Sequence, residues 1–300
     1  MDNLTHSLIG AVIGQAGLKR KTGLAMPALV IGANIPDIDA TCVIYGTQSL
    51  AMRRGLTHGP IAWVLLPLLL AGLLYGWDRW QARRGKWPDG QLPVHFGWLY
   101  LLSLIGCLTH PAMNWMNNYG VRLLEPFSHR WFYGDVLFIV DLWLWLGLGF
   151  ALWLSLRREK RTGGNWQRPA RIALAAGLAY IGGNAAITTL AEKQALTREP
   201  YPRIAIASEV PVLFWQREMV TGNGDGVWQV GGERRGDVPL AACDLARAAS
   251  EDVEVKAFLF WSRAPFVARS GDGWLLGDAR YAGLASRNFS VALPRDRCRG

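Results

Sequence analysis

Long apolar runs separated by short basic connections are the feature that most constrains how this chain can fold. Pro60 to Trp77 and Val136 to Leu156 approach the roughly 20 apolar residues that a membrane-spanning helix needs. Each of the shorter runs is compatible with a span or with a buried core helix. They occupy residues 8–18, 24–35, 97–108 and 172–190. Because 51% of the residues are hydrophobic, we predict a mainly α, polytopic membrane bundle of about four to six helices.

The charges of the chain are distributed unevenly. Residues 1–191 contain 17 Lys or Arg and 9 Asp or Glu, whereas residues 192–300 contain 15 and 14. The basic excess therefore belongs to the first part, where it lies in clusters between apolar runs at residues 19–21, 79–86 and 157–161. Short basic connections mark the cytoplasmic side of a membrane protein. This pattern predicts a bacterial inner-membrane protein in contact with the lipid bilayer, and it argues against nucleic-acid binding.

With the three basic clusters in the cytoplasm, the direction of every apolar run follows. The first run enters from outside and the later runs alternate, so the chain after residue 190 lies in the periplasm. Polar residues that can bind a metal ion then share the outer face, although they are far apart in the sequence. They are His6, Asp37, Asp39, His58, His110, Asn114 and Asp135.

Three of these residues are histidines in the same local context. His6, His58 and His110 each follow a threonine at the outer end of a predicted run. Asn114 lies four residues after His110, the spacing that places two side chains on one face of a helix. Imidazole nitrogens together with carboxylate oxygens suit Zn²⁺, or Mn²⁺ and Fe²⁺ where carboxylates dominate. More than four candidate ligands suggest two or more ions, within an expected range of one to three.

The two carboxylates of Pro36-Asp37-Ile38-Asp39 would by themselves be an ordinary turn or helix cap. Their position beside the histidine segments favours a metal site. Asp135 and Asp141 are further candidates that do not share a helix face, because six residues turn a helix by about 600°. Asp141 falls inside a predicted span, where an ionisable group is costly enough to indicate function. We expect one of the two to bind metal and the other to pair with Arg or His.

Arg122 and Arg130 lie in the polar segment between the predicted spans that end at residue 108 and begin at residue 136. A guanidinium group matches two phosphate oxygens, so both residues are candidates for substrate binding. Pairing with Glu125, or anchoring at the membrane surface, is the alternative for each.

The composition changes near residue 193, which predicts domains at 1–192 and 193–300. Aromatic-rich pieces at 210–215, 226–230 and 255–261 are bounded by Gly-rich turn signals. They predict a small extracytoplasmic α+β domain of mostly antiparallel strands, with a helix near residues 240–250. Cys243 and Cys298 are candidates for a disulfide in an oxidising compartment, and two free thiols are the alternative.

Several motifs, taken in order, resemble one known family. They are Asp2-x-x-Thr5-His6, Pro36-Asp-x-Asp39, Arg54-Gly-x-Thr-His58, Thr109-His110, Tyr119 to Ser128 with Arg130 to Asp135, Ile139-Val-Asp141, and, in the last third, Phe258 to Arg263 with Asp278 to Tyr281. This succession looks like the YdjM-like family of LexA-binding, inner-membrane-associated, metal-dependent hydrolases. That family is thought to be distantly related to zinc-dependent phospholipase C and P1 nuclease.

The resemblance implies an outward-facing hydrolase site that acts on a phosphodiester. It assigns the metal to His6, Asp37, Asp39, His58 and His110. One departure is Asn114, where the family pattern leads us to expect Asp. A neutral amide binds a divalent cation more weakly than a carboxylate, so this position is the weakest of the candidate ligands.

The mechanism that follows is metal-assisted hydrolysis of a lipid or lipid-linked phosphoester. Asp37 or Asp39 would accept a proton from metal-bound water, and Arg130 would neutralise charge on the phosphoryl group. The alternative function is a non-catalytic binding or regulatory membrane protein with a structural metal. A metal transporter is less well supported, since only Asp141 lies deep in a predicted span. The sequence leaves the oligomeric state open.

Overall fold

The computed structural model describes residues 1–86, 90, 92–161, 164–199, 201–282 and 289–299. The chain divides into two compact units. The first contains Met1–Ile38 and Arg54–Asn184, and the second contains Asp39–Arg53 and Ala185–Gly300. The predicted boundary between residues 192 and 193 thus differs in two respects from the observed division. The second unit begins within a continuous helix, and it includes a segment from early in the chain.

The described residues form nine α-helices. They are α1 Asn3–Gln15, α2 Ala25–Gly32, α3 Ser49–Met52, α4 Pro60–Arg83, α5 Phe96–Trp115, α6 Leu142–Arg161, α7 Gln167–Leu196, α8 Leu245–Glu251 and α9 Val253–Trp261. A 3₁₀ segment, Ile35–Gln48, connects α2 with α3. In the second unit, α3 packs against α9. This contact between distant parts of the sequence explains why residues 39–53 belong to the second unit.

Four helical segments are long and apolar enough to cross a membrane. They are Ala25–Met52, Pro60–Arg83, Phe96–Trp115 and Gln167–Leu196. This confirms the prediction of a mainly helical membrane protein. An apolar core lies between α2, α4 and α5. It includes Leu29, Ala71, Leu99 and Leu102, which are completely buried.

The predicted span at 136–156 is not among these four, because its helix begins later than expected. Asp141 Oδ1 accepts a hydrogen bond from the Leu144 amide at 2.9 Å, which caps the first turn of α6. The apolar part of α6 therefore extends only from residue 142 to residue 156, short of the roughly 20 residues of a typical span. Asp141 precedes the helix and does not lie inside it.

Small residues allow α1, α2 and α5 to approach one another closely. A Cβ atom added to Gly10 of α1 would lie 2.7 Å from the Leu29 carbonyl oxygen of α2, and one added to Gly106 of α5 would lie 2.5 Å from the same oxygen. A Cβ atom on Gly32 would lie 2.8 Å from the Ser103 oxygen. Glycine is needed at these positions because any side chain would force the backbones apart.

The second unit contains two antiparallel sheets, as predicted. Their strands are β1 Ile204–Glu209, β2 Arg217–Gly222, β3 Trp228–Val230, β4 Glu233–Arg235, β5 Pro265–Ser270, β6 Gly273–Asp278 and β7 Ser290–Leu293. Each sheet is a meander in which sequential strands pair. Ile206, Val220 and Val230 lie opposite one another across the first sheet and are buried, which forms one row of its core.

Two predicted strands of this unit are wrong. Residues 255–261 form most of α9, whose buried Val255, Phe258 and Trp261 recur every third residue. Asp252 caps this helix by accepting hydrogen bonds from the Glu254 and Val255 amides, a local signal that outweighs the β propensity of the aromatic residues. Residues 210–215 form no strand, and Pro211 in this segment has no amide hydrogen to donate to a sheet. The predicted helix near 240–250 corresponds to α8.

One disulfide and one buried ion pair stabilise the second unit. Cys243 and Cys298, 55 residues apart in sequence, form a disulfide. Asp278 is fully buried and accepts six hydrogen bonds, three of them from Arg280 and the others from Ser262, Arg263 and Ala264. Burial alone would raise the pKa of Asp278, but the charge and hydrogen bonds of Arg280 outweigh it and lower this pKa to about 2.

Candidate metal centre

The close packing of α1, α2 and α5 determines which side chains meet at one end of the first unit. His6 lies one helical turn before Gly10, and His110 lies one turn after Gly106. Both glycines contact the same carbonyl of α2, that of Leu29. The two histidines are therefore brought together where α2 ends. Their rings stack with centroids 3.8 Å apart.

The first turn of α1, which carries His6, is held by its own cap. Asp2 accepts hydrogen bonds from the Leu4 and Thr5 amides at 2.9 and 3.0 Å, and from the Thr5 hydroxyl at 2.6 Å. The Trp145 indole N–H of α6 donates to the Thr5 hydroxyl at 2.9 Å. These contacts account for the Asp2-x-x-Thr5-His6 motif, since they fix the backbone from which His6 projects.

Three side chains form a group whose potential ligand atoms lie within 4.8 Å of one another: His6, Asp37 and His110. His110 Nε2 lies 3.3 Å from Asp37 Oδ1. His58 adjoins the group, with its ring edge-on to His110 and the centroids 5.0 Å apart. All three histidines are 0% exposed.

The hydrogen bonds of His110 leave one ring nitrogen available as a ligand. His110 Nδ1 lies 2.7 Å from the Ala33 carbonyl oxygen of α2. A carbonyl only accepts, so Nδ1 must carry a proton, and in the neutral ring Nε2 then presents a lone pair. A backbone carbonyl that orients a histidine in this way is a common feature of metal sites. His58 is held similarly, with Nδ1 2.9 Å from the Thr57 hydroxyl.

Asn114 lies between two of the imidazoles. Its amide nitrogen is 2.9 Å from His110 Nε2 and 3.1 Å from His58 Nε2. Its amide oxygen accepts a hydrogen bond from the amino group of Met1. An amide N–H₂ donating to both rings requires both Nε2 atoms to be unprotonated, which is the form in which they bind metal.

His6 provides the clearest test of whether a metal fits this centre. Both of its ring nitrogens are buried, and neither makes a hydrogen bond of normal geometry among the residues that the structure describes. The Asn114 side chain approaches His6 and acts to raise its pKa, but the Asn114 amide nitrogen lies within hydrogen-bond distance of His58 and His110. A buried polar atom without a partner costs about 1–3 kcal/mol, so it needs a reason. A cation shared with Asp37 and His110 would bind one of these nitrogens. The nitrogen and oxygen donors fit Zn²⁺, and also Mn²⁺ or Fe²⁺.

Burial and nearby positive charges favour the neutral form of His6 and of His58. Burial lowers the pKa of His6 and of His58 well below the ordinary value, and the neighbouring His110 and Arg54 lower both further. Arg54 is itself buried. It donates to the Asn117 side-chain oxygen at 2.9 Å and lies over the Tyr119 ring at 4.5 Å. A positive charge fixed beside the centre favours the metal-binding form of both histidines.

Arg54 was not predicted as a site residue. The available signal was its position at the start of the Arg54-Gly-x-Thr-His58 motif, four residues before a predicted ligand. Motif position does not reveal that the side chain is buried beside the histidines, because its partners Asn117 and Tyr119 lie far away in the sequence.

The predicted phosphate-binding residues have different environments. Arg122 is buried and pairs with Glu125 at 3.2 Å, with its guanidinium against Gly55. This pairing is the structural alternative considered above. Arg130 is exposed, and its guanidinium lies over the Phe132 ring at 5.3 Å. It remains available to a substrate.

The remaining predicted ligands are not part of the His6–Asp37–His110 group. Asp141 caps α6 and accepts a hydrogen bond from the Tyr180 hydroxyl at 2.9 Å, so its role in the structure is to hold helices. Asp135 is buried, with a positive φ of 54°. Asp39 is buried and is the first residue of the second unit.

The fold and this centre define a class: helical membrane proteins with a buried group of histidines and a carboxylate at one end of the helices. The family described as YdjM inner membrane protein matches residues 1–191. The chain therefore belongs to this family. No curated protein and no solved structure matches the chain.

Proposed function

We propose that the protein is a membrane-bound, metal-dependent hydrolase that acts on a phosphoester, most simply a lipid or a lipid-linked phosphate. The observation that carries this proposal is the buried His6–Asp37–His110 group, in which His6 has two ring nitrogens without hydrogen bonds of normal geometry among the described residues. Membership of an inner-membrane family and four candidate spans support a substrate that is reached from the lipid bilayer.

His6, Asp37 and His110 would hold the first ion, with His58 and Asn114 as adjoining donors. Zinc is the best match, manganese and iron are alternatives, and a second or third ion would need further ligands such as Asp135. When bound, such an ion lowers the pKa of a water ligand toward 7.

Three side chains have different proposed roles in hydrolysis. Asp37 retains some exposure, 11% of its side chain, and is the candidate to accept the proton of the attacking water. Arg54 adds a fixed positive charge beside the centre, which favours a negatively charged substrate. Arg130, exposed and without an acidic partner among the contacts seen in the described residues, is the candidate to contact the phosphoryl oxygens.

The arrangement of the first unit supports a periplasmic site. Asp2 and Thr5 at the start of α1 contact Trp145 near the start of α6, whereas Lys19 beyond the end of α1 pairs with Glu159 near the end of α6. The basic cluster at 157–161 therefore lies at the end opposite His6. Since basic clusters face the cytoplasm, the histidines would face the periplasm. The disulfide of the second unit is, by itself, typical of a domain in an oxidising compartment.

A second function is favoured by one observation. The Asn114 amide occupies the position between His58 and His110 where a substrate or water ligand would otherwise be bound. A closed site of this kind is typical of a structural metal. In that case the protein is a non-catalytic binding or regulatory membrane protein.

Metal analysis of the detergent-purified chain, combined with a hydrolysis assay, tests the proposal. We expect about one zinc, manganese or iron ion per chain, and at least a tenfold loss of bound metal in His110→Ala and Asp37→Ala. The control is His129→Ala, because His129 is an exposed histidine that pairs with Glu125. Arg130→Gln should retain the metal and lose hydrolysis of a phosphodiester or phospholipid.

The outcomes separate the two functions. Metal that is lost in both variants, with hydrolysis that depends on it, supports the hydrolase. Metal without hydrolysis of any phosphoester supports the structural site. A wild-type chain that binds no metal after reconstitution with each ion contradicts both.

A further inference from the structure

A second candidate site lies between α6 and α7, away from the histidines. A cleft of about 550 Å³ separates the two helices. Its lining is almost entirely apolar and includes Leu148, Phe150, Leu154 and Ile172. An apolar cleft of this size can hold an apolar ligand, because the lining atoms gain dispersion contacts with whatever occupies the space.

The two helices are joined at both ends of the cleft. Near the end of α6, the Ser155 hydroxyl donates to the Trp166 carbonyl oxygen at 2.6 Å. Near its start, the Tyr180 hydroxyl of α7 donates to Asp141 at 2.9 Å. These contacts hold the helices as the two walls of one cleft.

Small residues line the middle of the cleft on both helices. Gly147 and Ala151 of α6 face the same space as Ala173, Ala176 and Gly177 of α7. A Cβ atom added to Gly147 or Gly177 would meet nothing within 4 Å. Elsewhere in this unit, small residues let helices touch, as at Gly106. Between α6 and α7 the small residues leave a gap instead. The size of the cleft therefore follows from the small side chains that the sequence places along it.

The shape of the cleft fits a hydrocarbon chain. Trp143 and Arg158 lie at its two ends on α6, and fifteen residues of helix correspond to about 22 Å. A space that is long and apolar matches an extended acyl chain better than it matches a compact polar ligand.

The charges at one end identify the headgroup. Arg158 and Arg168 line the cleft where α6 ends and α7 begins, and both are exposed. Arg157, Lys160 and Arg161 lie on the same last turns of α6, which contain Glu159 as the only acidic residue in 157–161. Such a cluster attracts acidic lipid headgroups, and each guanidinium can bind two phosphate oxygens.

The geometry points to a binding site for one acidic phospholipid, with an acyl chain in the α6–α7 cleft and its phosphate between Arg158 and Arg168. The site lies at the end of the helices opposite the histidine centre, because Glu159 pairs with Lys19 beyond the last turn of α1. The lipid is therefore a resident ligand of the helical unit, and the site does not depend on the proposed hydrolase activity.

Native mass spectrometry of the full chain tests this site with two lipids of identical acyl chains, phosphatidylglycerol and phosphatidylcholine. We expect the wild type to retain one phosphatidylglycerol with at least a fivefold preference. The double variant Arg158→Gln with Arg168→Gln should lose the preference. Ala176→Trp, which fills the cleft, should reduce retention of both lipids at least fivefold.

A matched control is the double variant Arg83→Gln with Arg84→Gln, which removes two charges at the end of α4 and should leave the preference intact. Thermal unfolding in detergent checks that each variant is folded, and the smaller substitution Gly147→Leu replaces Ala176→Trp if that variant is not. Equal retention of the two lipids by the wild type would overturn the proposal. So would a preference unaffected by Arg158→Gln with Arg168→Gln, or a dimer that Ala176→Trp dissociates.

Discussion

The two units differ in whether a buried polar side chain has hydrogen-bond partners. In the second unit, Asp278 is buried and both of its oxygens accept several hydrogen bonds, three of them from Arg280. In the first unit, His6 is equally buried, yet neither ring nitrogen makes a hydrogen bond of normal geometry within the described ranges. The two side chains are therefore buried to the same extent, but only Asp278 has its hydrogen-bonding capacity filled.

This difference separates structural from functional polar residues. A buried ion pair with complete hydrogen bonding is costly to break, so it holds a fold together. A buried imidazole without partners destabilises the fold unless a ligand completes it. The contrast predicts that substitutions of Asp278 and His6 by apolar residues change stability in opposite directions.

The largest effect is expected at Asp278. Asp278→Ala leaves Arg280 buried without its carboxylate, which should cost about 3–5 kcal/mol and unfold residues 262–281 locally. Hydrogen–deuterium exchange with mass spectrometry measures this region separately from the helices. Because the folded pKa of Asp278 is about 2, below the ordinary 3.8, its contribution is complete above pH 4 and is lost as the pH falls toward 2.

Asp237→Ala is the control for this variant, since Asp237 is an acidic residue of the same unit whose carboxylate accepts a hydrogen bond from the exposed Arg269 amide. It should leave exchange in residues 262–281 nearly unchanged. Equal exchange in Asp278→Ala and the wild type would show that the buried pair does not hold the second unit.

A smaller effect is expected where α5 crosses α2. Gly106→Ala places a Cβ atom 2.5 Å from the Leu29 oxygen, and such overpacking should cost about 1–3 kcal/mol. His110 lies one turn further along α5, so bound metal should also decrease. Thermal unfolding in detergent and elemental analysis measure the two effects.

Gly97→Ala is the matched control in the same helix, because a Cβ atom at Gly97 meets nothing within 4 Å. Its expected effect is a slight stabilisation of up to about 1 kcal/mol, from the higher helix propensity of Ala. If Gly106→Ala and Gly97→Ala behaved alike, the close approach of α5 to α2 would not position the metal centre.

The smallest effect, and the one of opposite sign, is expected at His6. His6→Leu replaces an unsatisfied imidazole with an apolar side chain of similar size, and should stabilise the metal-free chain by about 1 kcal/mol. The same variant should bind no metal. Thermal unfolding with a chelator, followed by titration with zinc, measures both. Destabilisation of the metal-free His6→Leu chain would show that the ring nitrogens of His6 are satisfied without an ion.

The sequence by itself was sufficient for features that depend on local pattern. Apolar runs predicted the helical membrane unit, and turn signals predicted antiparallel strands in the last third. The shared Thr-His context singled out His6, His58 and His110, which the structure places side by side. These predictions succeed because hydrophobicity, turn chemistry and motif spacing are properties of neighbouring residues.

Only the tertiary structure decided which residues have structural roles and which form the centre. Asp141 was expected to lie inside a membrane helix and, as one of two alternatives with Asp135, to bind metal, and it caps α6 instead. Residues 255–261 read as a strand, and they form α9. Arg54 became a candidate only through its burial beside residues more than sixty positions away. These outcomes depend on contacts between distant segments, whose geometry is set by how helices such as α2 and α5 pack and not by any local pattern.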